Sequence, residues 1–353
     1  MWQQLANQIS HKPGICMLWG AADTGKSTLA AFLSSYCTER EQKVAVVDAD
    51  VGQSDIGLPG TIGMGFVTGV ISRLSDITGK KRYFVGDNNP NGLEMISAIG
   101  TYRMVQSAIE MGADVVIIDT TGATQGRQAR VLKHLMFEIV HPDYLISLQQ
   151  NSELEHLLKG VELSSETALI RCPQLPGVRR RSSSERRLLR QKAFGQHFAS
   201  FKEHRLDLDE ITFSRTFFRT GDVLLPEDLY HLTAALNSQV LHAEIIPEGL
   251  CMIVENKPEK ESVKRALNRY GCANATIIKE KEFSRVLIGL ADNNGRFVGT
   301  GILIELNFPK NQAVILSNPE ISIRTHQIHL GRLRVTKSGK ELGKLQHSLT
   351  YVG

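Results

Sequence analysis

Residues 20 to 28 read GAADTGKST, a pattern of small residues, one lysine and hydroxyl side chains that can hold a phosphate chain. Backbone N–H groups can curl around a phosphate at a helix start, where aligned peptide dipoles favour an anion. Lys26 would reach the β- and γ-phosphates, and the Ser27 hydroxyl would ligate Mg²⁺. The match to G-x-x-x-x-G-K-[ST], with a strand before it and a helix after it, predicts a nucleotide-binding loop. We expect nucleotide contacts from Gly20, Ala21, Ala22, Asp23, Thr24, Gly25, Lys26, Ser27 and Thr28.

Two carboxylates follow at the end of the next apolar run, KVAVVDAD. Asp48 and Asp50 are two residues apart, so an extended chain sends both side chains to one side. We expect Asp48 to complete the Mg²⁺ shell and Asp50 to accept a proton from an incoming hydroxyl. Alternatively, Asp48 caps a buried strand end, and Asp119, at the end of a later run, competes for the metal.

A basic segment between Arg179 and Lys192 holds seven basic residues and one acidic residue. Such a run is often a solvated surface. Here, however, Ser182 and Glu185 have the spacing of a capping box and predict a helix start near Ser183. Flexible flanks are expected from Pro173, Pro176 and Gly177.

Three arginines flank this predicted cap. Arg186 and Arg190 are four residues apart and share one helix face, and Arg181 precedes the cap. Phosphoryl transfer spreads negative charge over three oxygens, which a closing basic element stabilises. We therefore predict a phosphate-facing lid whose far end is anchored in the core by Phe194 and Phe198.

The elements that position these residues are apolar runs separated by segments of helical length. The runs are too uniformly apolar for a sheet with one solvated face, and they indicate a parallel sheet covered on both sides. The first half is therefore predicted to be an α/β doubly wound domain. Its strands are expected at 15–19, 43–50, 113–120, 143–149 and 167–172.

The second half changes to short alternating segments, including VLIGLADNNGRFVGTGILIEL around an Asn-Gly turn. We predict a kinase-type domain at 1–205, with its lid at about 178–204, and a β-rich C-terminal domain at 206–353.

Composition excludes several classes of protein. The chain has 353 residues, 42% hydrophobic and 22% charged, which is ordinary for a globular protein. No apolar run reaches the roughly 18 residues of a membrane span, and the N-terminus lacks signal-peptide features, so we expect a cytoplasmic protein with no membrane partner. Five scattered cysteines argue against a disulfide framework, and a net charge of +4 does not by itself indicate nucleic acid.

Two classes of nucleotide hydrolase fit poorly. Regulatory GTPases use an Asn-Lys-x-Asp segment, and the nearest match, at 256–259, ends in Glu and lies in the wrong half. Partition-type ATPases carry a lysine at the second loop position, which here is Ala21.

The motifs together resemble the polynucleotide 5′-hydroxyl kinase family. The order is GAADTGKST, VDADVGQ with LPGT, YFVGDNNP, IDTTGATQG, and then Arg181, Arg186 and Arg190 in R-x4-R-x3-R spacing. This family includes RNA kinases of tRNA splicing, pre-mRNA cleavage and pre-rRNA processing, with archaeal and bacterial relatives. The resemblance runs from Gly14 onward and extends to the C-terminal module.

The resemblance implies ATP or GTP with Mg²⁺ at Lys26 and Ser27, activation of the acceptor hydroxyl by Asp50, and arginine closure over the triphosphate. It implies a P-loop NTPase fold and a nucleic acid with a 5′-hydroxyl end as partner, with RNA favoured. Substrate contacts are expected from Gln53, Thr120, Gly122, Gln125 and Gly126.

Two positions depart from the family pattern. RNA-phosphorylating members commonly carry a base-stacking tryptophan where this chain has Ala123, a contact worth about 1 to 3 kcal/mol per base. Eukaryotic members carry a β-rich domain before the loop, whereas 19 residues precede Gly20 here.

The leading hypothesis is an ATP- or GTP-dependent kinase of RNA or DNA 5′-hydroxyls. The alternatives are a nucleotide-hydrolysing or nucleotide-sensing scaffold that regulates a protein partner, favoured by Ala123, and a small-molecule kinase.

Overall fold

The computed structural model describes residues 1–162, 164, 166–174 and 179–345. Pro176, Gly177 and position 178, where the lid was predicted to begin, lie outside the described residues. The described chain divides into two compact units, Met1–Ala193 and Phe194–Gly353. This division falls inside the predicted lid, and the predicted boundary at 205/206 stays a prediction.

The first unit is built on a seven-stranded sheet in the order β4-β3-β2-β5-β1-β6-β7. The five strands β2, β5, β1, β6 and β7 pair in parallel, as predicted. The strands are β1 Ile15–Gly20, β2 Val44–Ala49, β3 Thr61–Phe66, β4 Gly79–Phe84, β5 Val115–Thr120, β6 Tyr144–Leu148 and β7 Ala168–Cys172.

The antiparallel edge made by β3 and β4 was not predicted. β3 contains Gly63 and Gly65, and the middle of β4 is the exposed basic run 80–82, so neither has the apolar pattern of a buried strand. Both strands are stabilised by pairing with their neighbours rather than by their own composition. Charged side chains on β4 are typical of an edge strand, since they discourage pairing with another chain.

Helices cover the sheet of the first unit. The strands β1 and β5 are almost wholly buried, in agreement with the predicted covered sheet. The helices are α1 Trp2–His11, α2 Lys26–Thr38, α3 Glu94–Glu110, α4 Gly126–Val140, α5 Glu155–Leu158 and α6 Ser183–Phe198, with a 3₁₀ turn at Leu74–Asp76.

The second unit contains two sheets. Its larger sheet has the order β18-β17-β14-β15-β16-β8, with β9 paired to β17, and the hairpin of β14 and β15 around the Asn-Gly turn confirms the prediction. The strands are β8 Lys202–Asp207, β9 Thr212–Ser214, β14 Val286–Ala291, β15 Phe297–Asn307, β16 Gln312–Ser317, β17 Gln327–Val335 and β18 Glu341–Lys344.

The smaller sheet, β10-β11-β12-β13, carries helices and includes one parallel pair, β12 with β13. This small α/β sheet within the β-rich half was not predicted. In the sequence its strands are short alternating segments, like those of the larger sheet. Its elements are β10 Asp222–Val223, α7 Pro226–Leu236, β11 Val240–Ile246, β12 Gly249–Val254, α8 Lys260–Tyr270 and β13 Ala275–Lys279. The second unit also contains α9 Pro319–Ser322 and 3₁₀ turns at Glu280–Phe283 and Phe308–Lys310.

No helix in the described part of the chain is long and apolar enough to cross a bilayer. Phe194 and Phe198, predicted to anchor the end of α6, are fully buried and stack with ring centroids 5.8 Å apart in the second unit.

The core of the first unit can be tested at β5, the central strand of its sheet. Ile117 is fully buried there, so Ile117→Ala removes buried methyl groups and should lower the free energy of unfolding by about 2–5 kcal/mol. Urea unfolding followed by tryptophan fluorescence measures this, because both tryptophans, Trp2 and Trp19, lie in the first unit.

The matched control is Val131→Ala on the exposed surface of α4, where 40% of the valine is accessible. Its effect should stay within about 0.5 kcal/mol. Equal losses for the two variants would contradict the assignment of β5 to the core.

Candidate active site

The phosphate-binding loop connects the end of β1 to the start of α2, as predicted. Gly25 has φ 92° and Asp23 has φ 57°, so the chain turns through two left-handed residues before the helix begins. The Thr24 hydroxyl and the Lys26 ammonium both donate to the Ala21 carbonyl, at 2.9 and 2.8 Å. These bonds hold the lysine over the loop, where the N-terminal amides of α2 can receive an anion.

Ser27, in the first turn of α2, donates its hydroxyl to Asp119 Oδ2 at 2.5 Å. Asp119 ends β5 and is 3% exposed. Burial raises the pKa of its carboxyl to about 6, although the Lys26 ammonium and the Ser27 hydroxyl oppose the shift by stabilising the charged form. Within the described residues, its other oxygen, Oδ1, is buried and has no hydrogen-bond partner.

Ser27 and Asp119 form a donor set that fits Mg²⁺. An unpartnered carboxylate oxygen beside a P-loop hydroxyl is the kind of oxygen ligand that this ion takes, together with waters and substrate phosphates. No group of three or more His, Cys, Asp or Glu side chains able to hold a metal occurs in the described ranges.

Asp48 has the environment of the alternative considered above, that of a buried strand end. Its Oδ1 accepts from the backbone N–H of Asp50, and its Oδ2 accepts from the Ser54 hydroxyl at 2.9 Å and from the N–H groups of Asp55 and Ile56. The side chain is 1% exposed. Burial and the nearby Asp119 carboxylate raise the pKa of Asp48, while the amide of Ile56 opposes the shift. Asp48 therefore organises the loop after β2 rather than facing outward from it.

Asp50 stands at the start of that loop. Its Oδ1 accepts from the N–H groups of Gly52 and Gln53 at 2.9 and 3.1 Å. This turn fixes the orientation of the carboxyl group, since one oxygen is bound to the backbone. Through its bond to the N–H of Asp50, Asp48 fixes the backbone from which this group projects.

The loop after β5 approaches the phosphate-binding loop closely. A Cβ added at Gly122 would lie 2.6 Å from both the backbone N and the Cα of Ala22, so only glycine fits without moving that backbone. Thr120 is fully buried and donates its hydroxyl to the Leu18 carbonyl. Gln125 and Gly126 lie exposed at the start of α4.

Lys133, on α4, supports this loop from within the core. It is fully buried, and its ammonium donates to Thr120 Oγ1 at 2.5 Å and to the Thr121 carbonyl at 2.7 Å. Burial and the Lys26 ammonium lower the pKa of Lys133 from 10.5 to about 7. The sequence carried a signal that we did not use, because Lys133 falls on the apolar stripe formed by Ala129, Leu132, Met136 and Val140.

The predicted lid helix begins where the capping box placed it. The Ser182 hydroxyl accepts from the N–H of Glu185, and the Glu185 carboxylate accepts from the N–H of Ser182 at 2.7 Å. Arg186 donates to Asp23 Oδ2 at 2.6 Å, which brings α6 against the phosphate-binding loop.

A cavity of about 780 Å³ gathers most of these residues. Of the predicted residues, its lining includes Ala22, Asp23, Thr24, Gly25, Lys26, Ser27, Thr28, Asp50, Gln53, Gly122, Arg181, Arg186 and Arg190. The predicted residues Gly20, Ala21, Asp48, Thr120, Gln125 and Gly126 are not part of this lining.

The cavity also contains residues that sequence reasoning did not select. These residues are Arg73, before β4, and Asn88 and Asn89, in the loop after β4, whereas Asp119, which also lines the cavity, was predicted as the alternative metal ligand. Ala123 lies in the lining as well. The two asparagines lie in the loop after β4, within the motif YFVGDNNP, which was an available signal, whereas Arg73 sits in a segment with no such motif.

Comparison with known proteins identifies relatives of the whole chain. Residues 20–200 match the family described as mRNA cleavage and polyadenylation factor CLP1 P-loop. A polyribonucleotide 5′-hydroxyl-kinase of Thermococcus kodakarensis is 33% identical over 336 residues, covering 95% of this chain and 92% of that protein. One of Methanocaldococcus jannaschii is 30% identical over 340 residues, covering 95% and 91%.

A solved structure supports the fold. The complex of wild-type Clp1p with residues 454–563 of Pcf11p aligns with a TM-score of 0.60 at 14% identity, covering 94% of this chain and 78% of the matched chain. At this identity the likeness concerns the fold alone.

The close approach of Gly122 to Ala22 can be tested with a single methyl group. Gly122→Ala should displace the backbone of the phosphate-binding loop and weaken nucleotide binding by roughly tenfold or more. This corresponds to a loss of about 1.4 kcal/mol or more in the free energy of binding. Titration with a fluorescent ATP analogue measures the affinity. The same substitution at Gly69, where an added Cβ meets nothing within 4 Å, should leave affinity unchanged, and equal affinities for both variants would contradict the approach.

The buried Lys133 predicts a pH dependence of stability. Its pKa is lower in the folded chain, at about 7, than its ordinary 10.5, so between these values the unfolded chain binds more protons and folding gains stability as pH rises. In urea unfolding, the free energy of unfolding of wild type should rise relative to that of Lys133→Met from about pH 7 towards 10.5. A difference that is constant across this range, like that expected for the exposed control Lys80→Met, would contradict the prediction.

Proposed function

The chain belongs to the CLP1 P-loop family of polyribonucleotide 5′-hydroxyl kinases, and from this premise we propose that it transfers the γ-phosphate of ATP or GTP to the 5′-hydroxyl of RNA or DNA. RNA is the favoured acceptor, because the archaeal relatives that match nearly the whole chain are named for that substrate. The observation that carries the proposal is one cavity shared by the phosphate-binding loop, Asp50, Arg181 just before α6, and Arg186 and Arg190 on α6.

The donor nucleotide is held at residues 20–28. Lys26 contributes its ammonium, already fixed above the loop by the Ala21 carbonyl, and the amides at the start of α2 contribute their dipoles. Arg181, Arg186 and Arg190 line the same cavity and supply cationic groups that can stabilise the negative charge that accumulates during transfer.

Ser27 and Asp119 would hold Mg²⁺ beside the triphosphate. When bound, the ion neutralises charge on the β- and γ-phosphates and orients them. We expected Asp48 in this role, but its two oxygens accept four hydrogen bonds from its own loop, which supports Asp119 as the nearer ligand. Asp48 then acts indirectly, because its hydrogen bond to the N–H of Asp50 positions that residue.

Asp50 accepts the proton of the acceptor hydroxyl. One of its oxygens is engaged by the amides of Gly52 and Gln53, and this fixed orientation supports its use as a general base in the cavity. The hydroxyl oxygen attacks the γ-phosphorus, the bond to the bridging oxygen breaks, and the nucleoside diphosphate leaves. Gln53 and Gly122 stand on the acceptor side.

The presence of Arg73, Asn88 and Asn89 in the cavity lining supports an acceptor with a sugar-phosphate backbone. Arginine and amide groups pair well with phosphate and sugar oxygens. Because Ala123 offers no ring for stacking, backbone contacts would carry a larger share of acceptor binding here.

Replacement of the proposed base separates transfer from binding. Asp50→Asn should lower the turnover number by roughly 100-fold or more, the contribution typical of a general base, with nucleotide affinity unchanged. The measurement is transfer of labelled γ-phosphate to 5′-hydroxyl oligonucleotides of RNA and DNA, with ATP and with GTP. Asp222→Asn, an exposed aspartate on β10 in the second unit, is the matched control and should retain wild-type turnover.

Two outcomes contradict the proposal. If wild type transfers no label above Lys26→Ala with either nucleotide and any oligonucleotide, the chain is not a polynucleotide kinase. Nucleotide hydrolysis without transfer, insensitive to added nucleic acid, would favour the scaffold hypothesis instead.

A further inference from the structure

The carboxylate of Asp23 lies inside a loop that binds anions. Its Oδ2 accepts two hydrogen bonds from the lid segment, one from the Arg186 guanidinium at 2.6 Å and one from the backbone N–H of Arg181 at 3.0 Å. In this ion pair the side chain of Asp23 is 16% exposed and that of Arg186 is 29% exposed, so solvent screens the pair only partly. These contacts join the phosphate-binding loop to the lid helix.

A negative charge at this position opposes the binding of phosphate groups by the loop. A carboxylate close to the β- and γ-phosphates repels them, and it weakens nucleotide binding unless a cation compensates it. Asp23 also has φ 57°, a left-handed conformation in which aspartate is tolerated but not favoured over glycine. Electrostatics of nucleotide binding therefore give no reason for an aspartate at this site.

The two contacts fix the lid at its first turn. The N–H of Arg181 lies immediately before the cap residue Ser182, so Asp23 holds the point from which α6 starts. Arg186 follows one turn later, and Arg190 lies four residues further on the same face. One carboxylate thus fixes both Arg181, just before the helix, and the rotation of the helix that carries Arg186 and Arg190.

We propose that Asp23 is a positioning residue that latches the arginine lid onto the phosphate-binding loop. The proposal deepens the kinase function and rests on it. A guanidinium has five N–H donors in a planar fork, so Arg186 can bind Asp23 through one edge and offer the remaining donors to a phosphate oxygen. With the lid fixed in this way, Arg181 and Arg190 are held at the same cavity.

The latch predicts opposite effects on binding and on turnover. Asp23→Asn keeps the size and backbone tolerance of the side chain and removes its charge. Nucleotide affinity should stay the same or increase, because a like charge near the phosphates is gone. The turnover number for phosphoryl transfer should fall by roughly tenfold or more, the range of a charge-assisted hydrogen bond.

A double-mutant cycle tests whether Asp23 acts through Arg186. The set is wild type, Asp23→Asn, Arg186→Gln and the double variant, assayed for nucleotide affinity and for transfer. If the latch exists, the double variant should be no slower than Arg186→Gln alone. Multiplying losses, or an affinity that falls in parallel with turnover in Asp23→Asn, would overturn the proposal. Asp222→Asn again serves as the control for loss of one carboxylate.

Limited trypsin digestion supplies a readout that does not require kinase activity. The segment 179–190 offers several arginines, and in the nucleotide-free protein the latch should slow cleavage there. Asp23→Asn should be cut in this segment several-fold faster than wild type, while Asp222→Asn should match wild type. Identical cleavage of Asp23→Asn and wild type would overturn the latch even if the kinase assay succeeds, and accelerated cleavage without any transfer by wild type would reject the kinase function alone.

Discussion

The hydrogen bond from the Ser27 hydroxyl to the buried Asp119 carboxylate joins the two parts of the structure on which the site depends. Ser27 belongs to the helix that follows the phosphate-binding loop, and Asp119 ends the central strand of the sheet. Any displacement of α2 relative to β5 would break a charge-assisted bond in a buried environment. The loop, the sheet edge and the proposed metal ligands are therefore held in one geometry.

A second constraint is the balance of charge around that bond. The edge of the sheet brings Asp48 and Asp119 side by side on adjacent strands, with Asp50 one step beyond. Each carboxylate is accommodated differently: Asp48 by backbone amides, Asp119 by Ser27, and Asp23 by Arg186. These partners leave Asp50 as the carboxylate whose surroundings suit a reacting hydroxyl. Arg186 compensates the charge of Asp23, and in the proposed function the lid arginines also bind the triphosphate.

The sequence predicted well whatever depends on local pattern. The phosphate-binding loop, the capping box at Ser182 and the buried Phe194 and Phe198 follow from spacing along one element, and the structure contains all of them. It predicted poorly what depends on contacts between distant segments. The hydrogen bond of Ser27 to Asp119 joins residues that are 92 positions apart, and the contact of Asp23 with Arg186 joins residues that are 163 positions apart. The strands β3 and β4 gain their order from pairing, which composition does not reveal.

The most direct measurement locates the transferred phosphate. Wild-type protein is incubated with a nucleoside triphosphate and an oligoribonucleotide that carries a 5′-hydroxyl, and the end fragments are weighed by mass spectrometry. The account predicts one added phosphate on the 5′-terminal nucleotide, and none on the same oligonucleotide when its 5′ end is already phosphorylated. Consumption of the triphosphate with no phosphate on either oligonucleotide would contradict it.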